Sequence, residues 1–391
     1  MVNIHIYPSP LTHESRILRI TDALAQAGIF TRIDVVGVAR ADLPAVETVD
    51  AMRSLVRLPR RLFAHSEGFI AKLVRTIEWS ARVLASLRGR RVSCINAHSL
   101  AVLPLCVLAS KLTGARLVYD THELETETVA AHGMRQRFAR RIERMFIRNC
   151  DMVCVVSDSI ADWYAHEYGI QRPAVVRNIP QFPTPQSGDR ETVRARMGLR
   201  PGHMGFIYQG GLMEGRGVER LLRVFAQLPG VDLVCMGSGP LEPAVQAAAA
   251  GHPNIHFVPA VPPHEVLQYT RAADVGLCLT ANCCLSYYFS LPNKMFEYLH
   301  AGLPVIVTPL LDQRRLVESY GCGWVASEDD EALAALVRSI DPAQIRQVQS
   351  AVDRAAAREL NCAADRCASG RHLVGDCILP DRSRRAENSG N

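Results

Sequence analysis

Short apolar runs rich in β-branched residues alternate with segments of helical periodicity along most of the chain. This alternation is typical of βαβ units, in which helices cover both faces of a parallel sheet. It therefore predicts an α/β fold made of Rossmann-like, doubly wound domains. The predicted strands are residues 2–7, 31–38, 92–97, 115–120, 152–157 and 173–178, followed by 204–210, 231–237, 254–260, 273–280, 304–308 and 322–326.

The segment NIPQFPTPQSGDRE, residues 178–191, interrupts this rhythm with three prolines. Proline lacks a backbone donor and does not continue a helix, so the segment predicts a domain boundary. The length of 391 residues also exceeds one ordinary hydrophobic core. We expect an N-terminal domain over residues 1–180, a C-terminal domain over 181–365, and a tail over 366–391 that is poorly ordered.

The composition is that of a globular protein, with 48% apolar and 21% charged residues. The most apolar candidate for a membrane span, LAVLPLCVLA at residues 100–109, has about half of the roughly 20 residues that a spanning helix needs. The first residues, MVNIHIYPSP, have no charged leader and no long apolar run. We expect a cytoplasmic location.

The net charge of +5 is unevenly distributed. Residues 1–180 hold 24 Arg and Lys against 17 Asp and Glu, whereas the remainder holds 20 against 22. Arg is concentrated at 52–91 and 134–146 among Leu, Phe, Ile and, in the first stretch, Trp79. A helix with basic and apolar faces can lie in the surface of an anionic membrane. The alternative is a solvated helix face of a soluble domain.

A glycine-rich turn follows the first strand of the second half in YQGGLMEGRGVERLL, residues 208–222. Glycines let backbone amides approach an anion, and both the following helix and Arg216 add positive potential. The turn therefore indicates a phosphate site, although a tight turn with a solvated Arg remains an alternative. A second turn of this kind occurs in CMGSGPLEPAV, residues 235–245.

The stretch SLPNKMFEYLHAGLPVIVT, residues 290–308, predicts a short helix that ends at Gly302. It contains Lys294, one of only three lysines in the chain, and Glu297 on the same helix face. A diphosphate could meet the ammonium while a ribose meets the carboxylate. The alternative is a surface ion pair worth less than about 1 kcal/mol.

The glycine-rich turn at 208–222 and the stretch at 290–308, together with YDTHELETE (119–127) and THESRILRITDALAQAG (12–28), resemble bacterial glycosyltransferases of family 4. The resemblance extends in order over residues 1–360. It implies the GT-B fold, in which two Rossmann-like domains face each other across a cleft. It also implies retaining transfer of a sugar from a nucleotide diphosphate sugar.

The resemblance implies that Arg216 and Lys294 hold the donor diphosphate and that Glu297 holds the ribose hydroxyls. The chain departs from the family at Gly211, where an Arg is usual, and at Phe289, where a Glu is usual; Lys294 then replaces the missing cation. The other implied donor contacts are Gly210 and Gly211 of the turn, Ser290, Leu291, Pro292 and Asn293 through their backbone, and Pro259 and Val261 beside the nucleobase.

The first domain supplies candidates for catalysis and for binding the acceptor. The resemblance implies that His122 reaches toward the donor sugar, against the alternative of a helix cap made by Asp120 or Thr121. His98 occupies a comparable loop. His13 and Glu14, in the loop after the first strand, are candidate acceptor contacts, with a capping role as the alternative.

No Asp-x-Asp sequence occurs, so we expect neither a metal ion nor another cofactor. The expected partners are a nucleotide sugar, a glycan or lipid-linked acceptor, and an anionic membrane surface at the inner face of the plasma membrane, but no nucleic acid. The implied role is synthesis of a bacterial surface polysaccharide. The alternatives are a non-catalytic nucleotide-sugar-binding subunit and a sugar-nucleotide epimerase of the same fold.

Overall fold

The computed structural model describes residues 1–12, 14–63, 66–180 and 189–359. The chain divides into two compact units, the first comprising Met1–Arg177 and the second beginning at Asn178. The tail over 366–391, which we expected to be poorly ordered, lies outside the described residues. Each unit is an α/β domain built on its own sheet, and the predicted fold class is confirmed.

An eight-stranded sheet forms the centre of the first unit. It is parallel except at one edge, where β3 runs antiparallel to β4. The strands are β1 (Val2–Ile6), β2 (Arg32–Val38), β3 (Val46–Thr48), β4 (Arg53–Leu58), β5 (Val92–His98), β6 (Arg116–Asp120), β7 (Met152–Val155) and β8 (Ala174–Val175), in the spatial order β3-β4-β2-β1-β5-β6-β7-β8.

Helices pack on this sheet mainly through buried apolar residues, such as Ile17 and Leu24 on the first helix. Three short 3₁₀ turns, Leu100–Val102, Glu125–Glu127 and Ile147–Asn149, lie in the connections. The helices are α1 (Ser15–Gln26), α2 (Phe69–Ser86), α3 (Leu103–Thr113), α4 (Gly133–Phe146) and α5 (Asp158–Tyr168).

A six-stranded parallel sheet forms the centre of the second unit. Its strands are β9 (Met204–Gly211), β10 (Val231–Ser238), β11 (Ile255–Pro259), β12 (Val275–Cys278), β13 (Val305–Val307) and β14 (Gly323–Val325), in the spatial order β11-β10-β9-β12-β13-β14. Its helices are α6 (Arg190–Arg196), α7 (Val218–Phe225), α8 (Glu242–Gly251), α9 (Pro263–Ala272), α10 (Leu285–Tyr288), α11 (Asn293–His300), α12 (Leu311–Tyr320), α13 (Asp330–Ser339) and the helical residues 342–359.

The basic stretch 52–91 is not one amphipathic helix, because it begins with β4 and continues into α2. Trp79 is 1% exposed, and its Nε1 donates a hydrogen bond of 3.1 Å to the carbonyl of Gly37. The expectation that Trp79 belongs to an exposed apolar face is therefore wrong. Among the described helices, none combines the length and apolarity required to cross a bilayer.

Candidate active site

The glycine-rich turn after β9 depends on glycine at positions where a side chain does not fit. Gly210, Gly215 and Gly217 have φ values of 122°, 73° and 85°, a region that L side chains rarely adopt. A Cβ on Gly217 would lie 2.1 Å from the carbonyl oxygen of Leu279. The turn therefore brings backbone against backbone at the carboxyl end of β9, beside the start of α7.

Lys294 lies in the first turn of α11, with its ammonium 3.7 Å from the centre of the Tyr208 ring. A Cβ on Gly210 would be 3.7 Å from its Nζ, so the ammonium faces the glycine-rich turn. Burial lowers the pKa of Lys294 to about 8, and repulsion by Arg216 contributes to this shift. The Arg216 guanidinium stacks over Tyr287, 4.6 Å from the ring centre. Two cations thus lie near one turn.

Glu297 lies one helical turn beyond Lys294 and accepts a hydrogen bond from Nε2 of Gln209. The Gln209 side chain is fixed in turn by Thr270, whose hydroxyl donates to Oε1 at 2.6 Å. The backbone N–H of Gln209 donates to the Tyr298 hydroxyl at 3.1 Å. Because Gln209 is 2% exposed, this chain of bonds fixes the orientation of the Glu297 carboxylate from inside the domain.

Residues Ser290–Asn293, predicted as backbone donor contacts, directly precede or begin α11 and are half-buried. Their conformation is held by Gln313, whose Nε2 donates to the carbonyl of Ser290 at 3.2 Å.

Pro259 ends β11 and pairs in register with Gly237, which pairs with Gly210 of β9. Pro259, the nearby Val261 and the glycine-rich turn with Gly211 therefore lie at one edge of the second sheet.

Three histidines of the first unit form a connected group. Asn96 Nδ2 lies 3.4 Å from His5 Nε2, His5 Nδ1 lies 2.8 Å from His98 Nε2, and His98 Nδ1 lies 3.1 Å from Asp120 Oδ2. Asn96 Nδ2 can only donate and the carboxylate can only accept, so both imidazoles carry their proton on Nδ1. His122 Nε2, 3.1 Å from the same Nδ1 of His98, then acts as an acceptor.

Asp120 is the anion of this group and is paired with a buried cation. Arg16 Nε lies 3.1 Å from its Oδ2, and Arg16 Nη1 donates to the carbonyl of Val176 at 2.8 Å. Burial alone would raise the pKa of Asp120, but Arg16 and the imidazoles of His98 and His122 outweigh burial and hold the pKa well below its usual range. Burial lowers the pKa of His122 to about 4, so its imidazole is neutral at physiological pH.

His98, Asp120 and His122 bring possible ligand atoms within 4.8 Å of one another, a spacing that a metal ion could use. However, the Arg16 guanidinium contacts both carboxylate oxygens of Asp120. A fixed positive charge on that carboxylate opposes binding of a cation to it. The donor set therefore fits a hydrogen-bond network better than a metal site.

Glu14 begins α1 without a side-chain capping bond, so the alternative capping role does not apply to it. Its carboxylate instead accepts a hydrogen bond from Ser9 in the loop after β1. His13 lies outside the described residues. Asp120 and Thr121 cap no helix either, because the 3₁₀ turn that follows them begins after Leu124.

Sequence reasoning missed several residues that build these two groups: Tyr208, Gln209 and Tyr287 in the second unit, and His5 and Arg16 in the first. Gln209 and His5 gave one usable signal, because each is a polar residue inside a mostly apolar strand. The pairing of Arg16 with Asp120 spans 104 positions and left no local pattern.

The fold and the two groups can be compared with known proteins. Similar solved structures include sucrose-phosphate synthase from Thermosynechococcus elongatus (TM-score 0.77, 18% identity, covering 96% of this chain and 99% of that one). HepE from Anabaena in complex with UDP-glucose has a TM-score of 0.70 and 14% identity, and the match covers 97% of this chain and 99% of that one. WaaG, a glycosyltransferase involved in lipopolysaccharide biosynthesis, has a TM-score of 0.65 and 19% identity, and the match covers 97% of this chain and 100% of that one. At these identities the likeness shows the fold alone, which is GT-B.

The family models extend this result from fold to family. The model described as Glycosyltransferase Family 4 matches residues 13–180, and the model described as Glycosyl transferases group 1 matches residues 204–340. No curated protein matches the chain. The chain is a GT-B glycosyltransferase of the family 4 type, as the sequence motifs predicted.

Proposed function

We propose that this glycosyltransferase moves a sugar from a nucleotide diphosphate sugar to a glycan acceptor, with retention of configuration and without a metal ion. The observation that carries the proposal is the pair of cations, Lys294 and Arg216, beside the glycine-rich turn of the second unit. Fixed cations at backbone amides suit a diphosphate. The HepE structures in complex with UDP and with UDP-glucose support a nucleotide-sugar donor.

In the proposed reaction, the bond between the anomeric carbon and the diphosphate oxygen breaks, and the acceptor oxygen bonds to that carbon on the same face. The acceptor proton passes to the departing oxygen. Lys294 and Arg216 stabilise the charge that develops on the diphosphate, together with backbone groups of residues 290–293. Glu297, oriented by Gln209, binds the ribose hydroxyls.

The first unit positions the sugar and the acceptor in this proposal. His122 is a neutral imidazole at physiological pH, and its ring packs 5.3 Å from that of Tyr7. It can therefore hydrogen-bond a sugar hydroxyl without adding charge. His98 and Glu14 lie at the carboxyl-end edge of the same sheet. His98 is buried and both of its ring nitrogens are bonded inside the histidine group, so in this proposal it serves the acceptor side by orienting His122. Glu14 and His13 remain proposed acceptor contacts.

A turnover assay tests this proposal. Purified protein is incubated with a panel of UDP-sugars and GDP-sugars in EDTA, with and without octyl glycoside acceptors, and the released nucleoside diphosphate and the sugar products are quantified. Release of the nucleotide with formation of a glycoside of unchanged anomeric configuration supports it. Binding of a donor without nucleotide release would instead indicate a binding subunit, and a changed sugar nucleotide without transfer would indicate an epimerase.

We also propose that the acceptor is lipid-linked and that the first unit binds an anionic membrane at the inner face of the plasma membrane, in surface-polysaccharide synthesis. Phe69, Ile70, Leu73 and Ile77 of α2 are 80%, 73%, 48% and 60% exposed. Their spacing puts them on one side of the helix, next to the basic residues at 72 and 75. An exposed apolar stripe flanked by cations favours an anionic lipid surface.

Vesicle co-sedimentation tests the membrane proposal. We expect binding to phosphatidylglycerol vesicles at low salt, weaker binding to phosphatidylcholine, and loss of binding in the double variant Phe69→Asp/Ile70→Asp. Val46→Asp is the matched control, because Val46 is equally apolar and 59% exposed but lies on the edge strand β3. Equal binding of the wild type and the double variant would show that α2 is not the membrane-binding surface.

A further inference from the structure

Glu125 carries a carboxylate oxygen that has no partner, in a loop where its other oxygen is firmly held. It begins the 3₁₀ turn that follows β6. Its Oε2 accepts hydrogen bonds from the Ser99 hydroxyl at 2.8 Å and from the backbone N–H of Leu100 at 2.9 Å. Its Oε1 is buried and makes no hydrogen bond within the described residues. Unpaired buried oxygens of this kind are uncommon and often mark a functional position.

Ser99 holds Glu125 in place by means of an unfavourable backbone conformation. Its φ is 97°, a region that residues other than glycine rarely adopt. In this conformation its hydroxyl donates to Glu125 while accepting a bond of 3.2 Å from the N–H of Ala101. Backbone strain at a single residue persists only where the surrounding structure imposes it. The loop after β5 is therefore built around the Glu125 carboxyl.

The chemistry of the two oxygens differs as a result. Burial raises the pKa of Glu125 to about 8, so the carboxyl carries a proton at neutral pH. Oε2 already accepts two hydrogen bonds, which leaves the proton on Oε1. A buried O–H group without an acceptor needs one, and a ligand oxygen can supply it. A sugar hydroxyl fits both protonation states, because it can accept from the acid or donate to the carboxylate.

Glu125 also lies at the edge of the sheet where acceptor binding is proposed. Ser99 directly follows His98 at the end of β5, and Glu125 follows His122 after β6. Carboxyl ends of neighbouring parallel strands meet at the same edge of a sheet. The pKa of Tyr7, at the end of β1, is raised by its burial and by the nearby carboxylates, Glu125 first among them. Glu125 therefore belongs to the same loop cluster.

We propose that Glu125 binds one hydroxyl group of the acceptor sugar through Oε1 and so selects which hydroxyl is presented for transfer. The inference rests on the proposed transfer to a glycan. It assigns Glu125 to acceptor recognition and leaves donor binding to the second unit.

Monodeoxy acceptors test this assignment. An octyl glycoside that accepts sugar is compared with its monodeoxy analogues, using wild type, Glu125→Gln and Glu125→Met. We expect one deoxy analogue to lose about 10-fold in kcat/KM with the wild type, the loss typical of a missing hydrogen bond in a polar site. Glu125→Gln, whose amide can replace the protonated acid, should keep this penalty, and Glu125→Met should abolish it.

The control variant is Glu123→Gln, because Glu123 is an exposed carboxylate two positions earlier in the same loop. It should leave all kinetic constants unchanged. Hydrolysis of the donor without acceptor should be equal in all four proteins. If deoxy penalties persist in Glu125→Met while donor hydrolysis is normal, the assignment of Glu125 is wrong. If no protein releases nucleotide from any donor, the proposed function itself fails.

Discussion

The ammonium of Lys294, at the start of α11, lies 3.7 Å from the centre of the Tyr208 ring on β9. This contact joins two elements that are 86 residues apart in the sequence, and it holds the lysine against the glycine-rich turn. A cation over an aromatic face keeps its charge while losing part of its hydration. Lys294 thus offers a charged, partly dehydrated ammonium to an anionic ligand. Substitution and pH titration test this role.

Replacing Lys294 with alanine should reduce kcat about 100-fold, because the variant loses one of two charges that stabilise the leaving diphosphate. The matched control is Lys111→Ala, since Lys111 is an exposed lysine on α3. Steady-state kinetics with saturating donor measures the effect. Turnover of Lys294→Ala within a few-fold of the control would show that the ammonium does not act on the leaving group.

Donor affinity should depend on pH through Lys294. Its pKa of about 8 in the free protein means that the side chain is charged below this pH and neutral above it. The affinity for the nucleoside diphosphate of the donor should therefore fall as the pH rises through about 8. Calorimetric titrations across this range check the sign. Lys294→Arg stays charged, so its affinity should show no such decrease.

Gln209 should affect nucleotide binding although it is buried behind Glu297. Gln209→Leu removes the donor that orients the Glu297 carboxylate. Hydrogen bonds to charged groups are worth about 1.5–3 kcal/mol, so we expect the Kd for the nucleoside diphosphate to rise about 10- to 100-fold. Gln227→Leu, at an exposed position in the same domain, is the control. An unchanged Kd at normal stability would show that Glu297 needs no such support.

The alternation of apolar runs predicted the α/β fold because strands buried in parallel sheets are almost continuously apolar. Two strands do not show this pattern and were not predicted. β4 contains Arg53 and Arg57, and Arg57 is buried because its guanidinium donates to the carbonyls of Pro10 and Pro44 and pairs with the Glu47 carboxylate at 2.7 Å. β3 is three exposed residues long and pairs at an edge. Tertiary contacts that neutralise a buried cation leave no periodic signal in the sequence.

The residues of the candidate site also differ in how readily the sequence indicates them. Lys294, Glu297 and Arg216 were predictable because each lies within a short motif that combines glycine or proline with a charge. Gln209 and Thr270 were not, because their bond joins β9 to α9 across 61 positions. Contacts of this kind become visible only when strand order is known. The sequence therefore provides candidates for ligand contact more readily than it identifies the residues that orient them.

Arg16→Ala should destabilise the first unit by about 3–5 kcal/mol, because it leaves the Asp120 carboxylate buried without its main partner. Arg16 and Asp120 are both almost fully buried, with side chains 6% and 3% exposed. Urea unfolding measures the change. Arg40→Ala, which breaks the exposed pair with Asp42, is the matched control and should have no measurable effect.

The pH dependence of this destabilisation distinguishes a charge effect from a packing effect. The pair holds the pKa of Asp120 well below its usual range, so its stabilisation is present above the unfolded pKa of about 4 and is lost as the pH falls through the folded pKa. In Arg16→Ala, Asp120 can take up a proton on acidification, which removes the unpaired charge. The difference between wild type and variant should therefore narrow as the pH is lowered from 7. A difference that stays constant with pH would mean that Arg16 contributes through packing rather than charge.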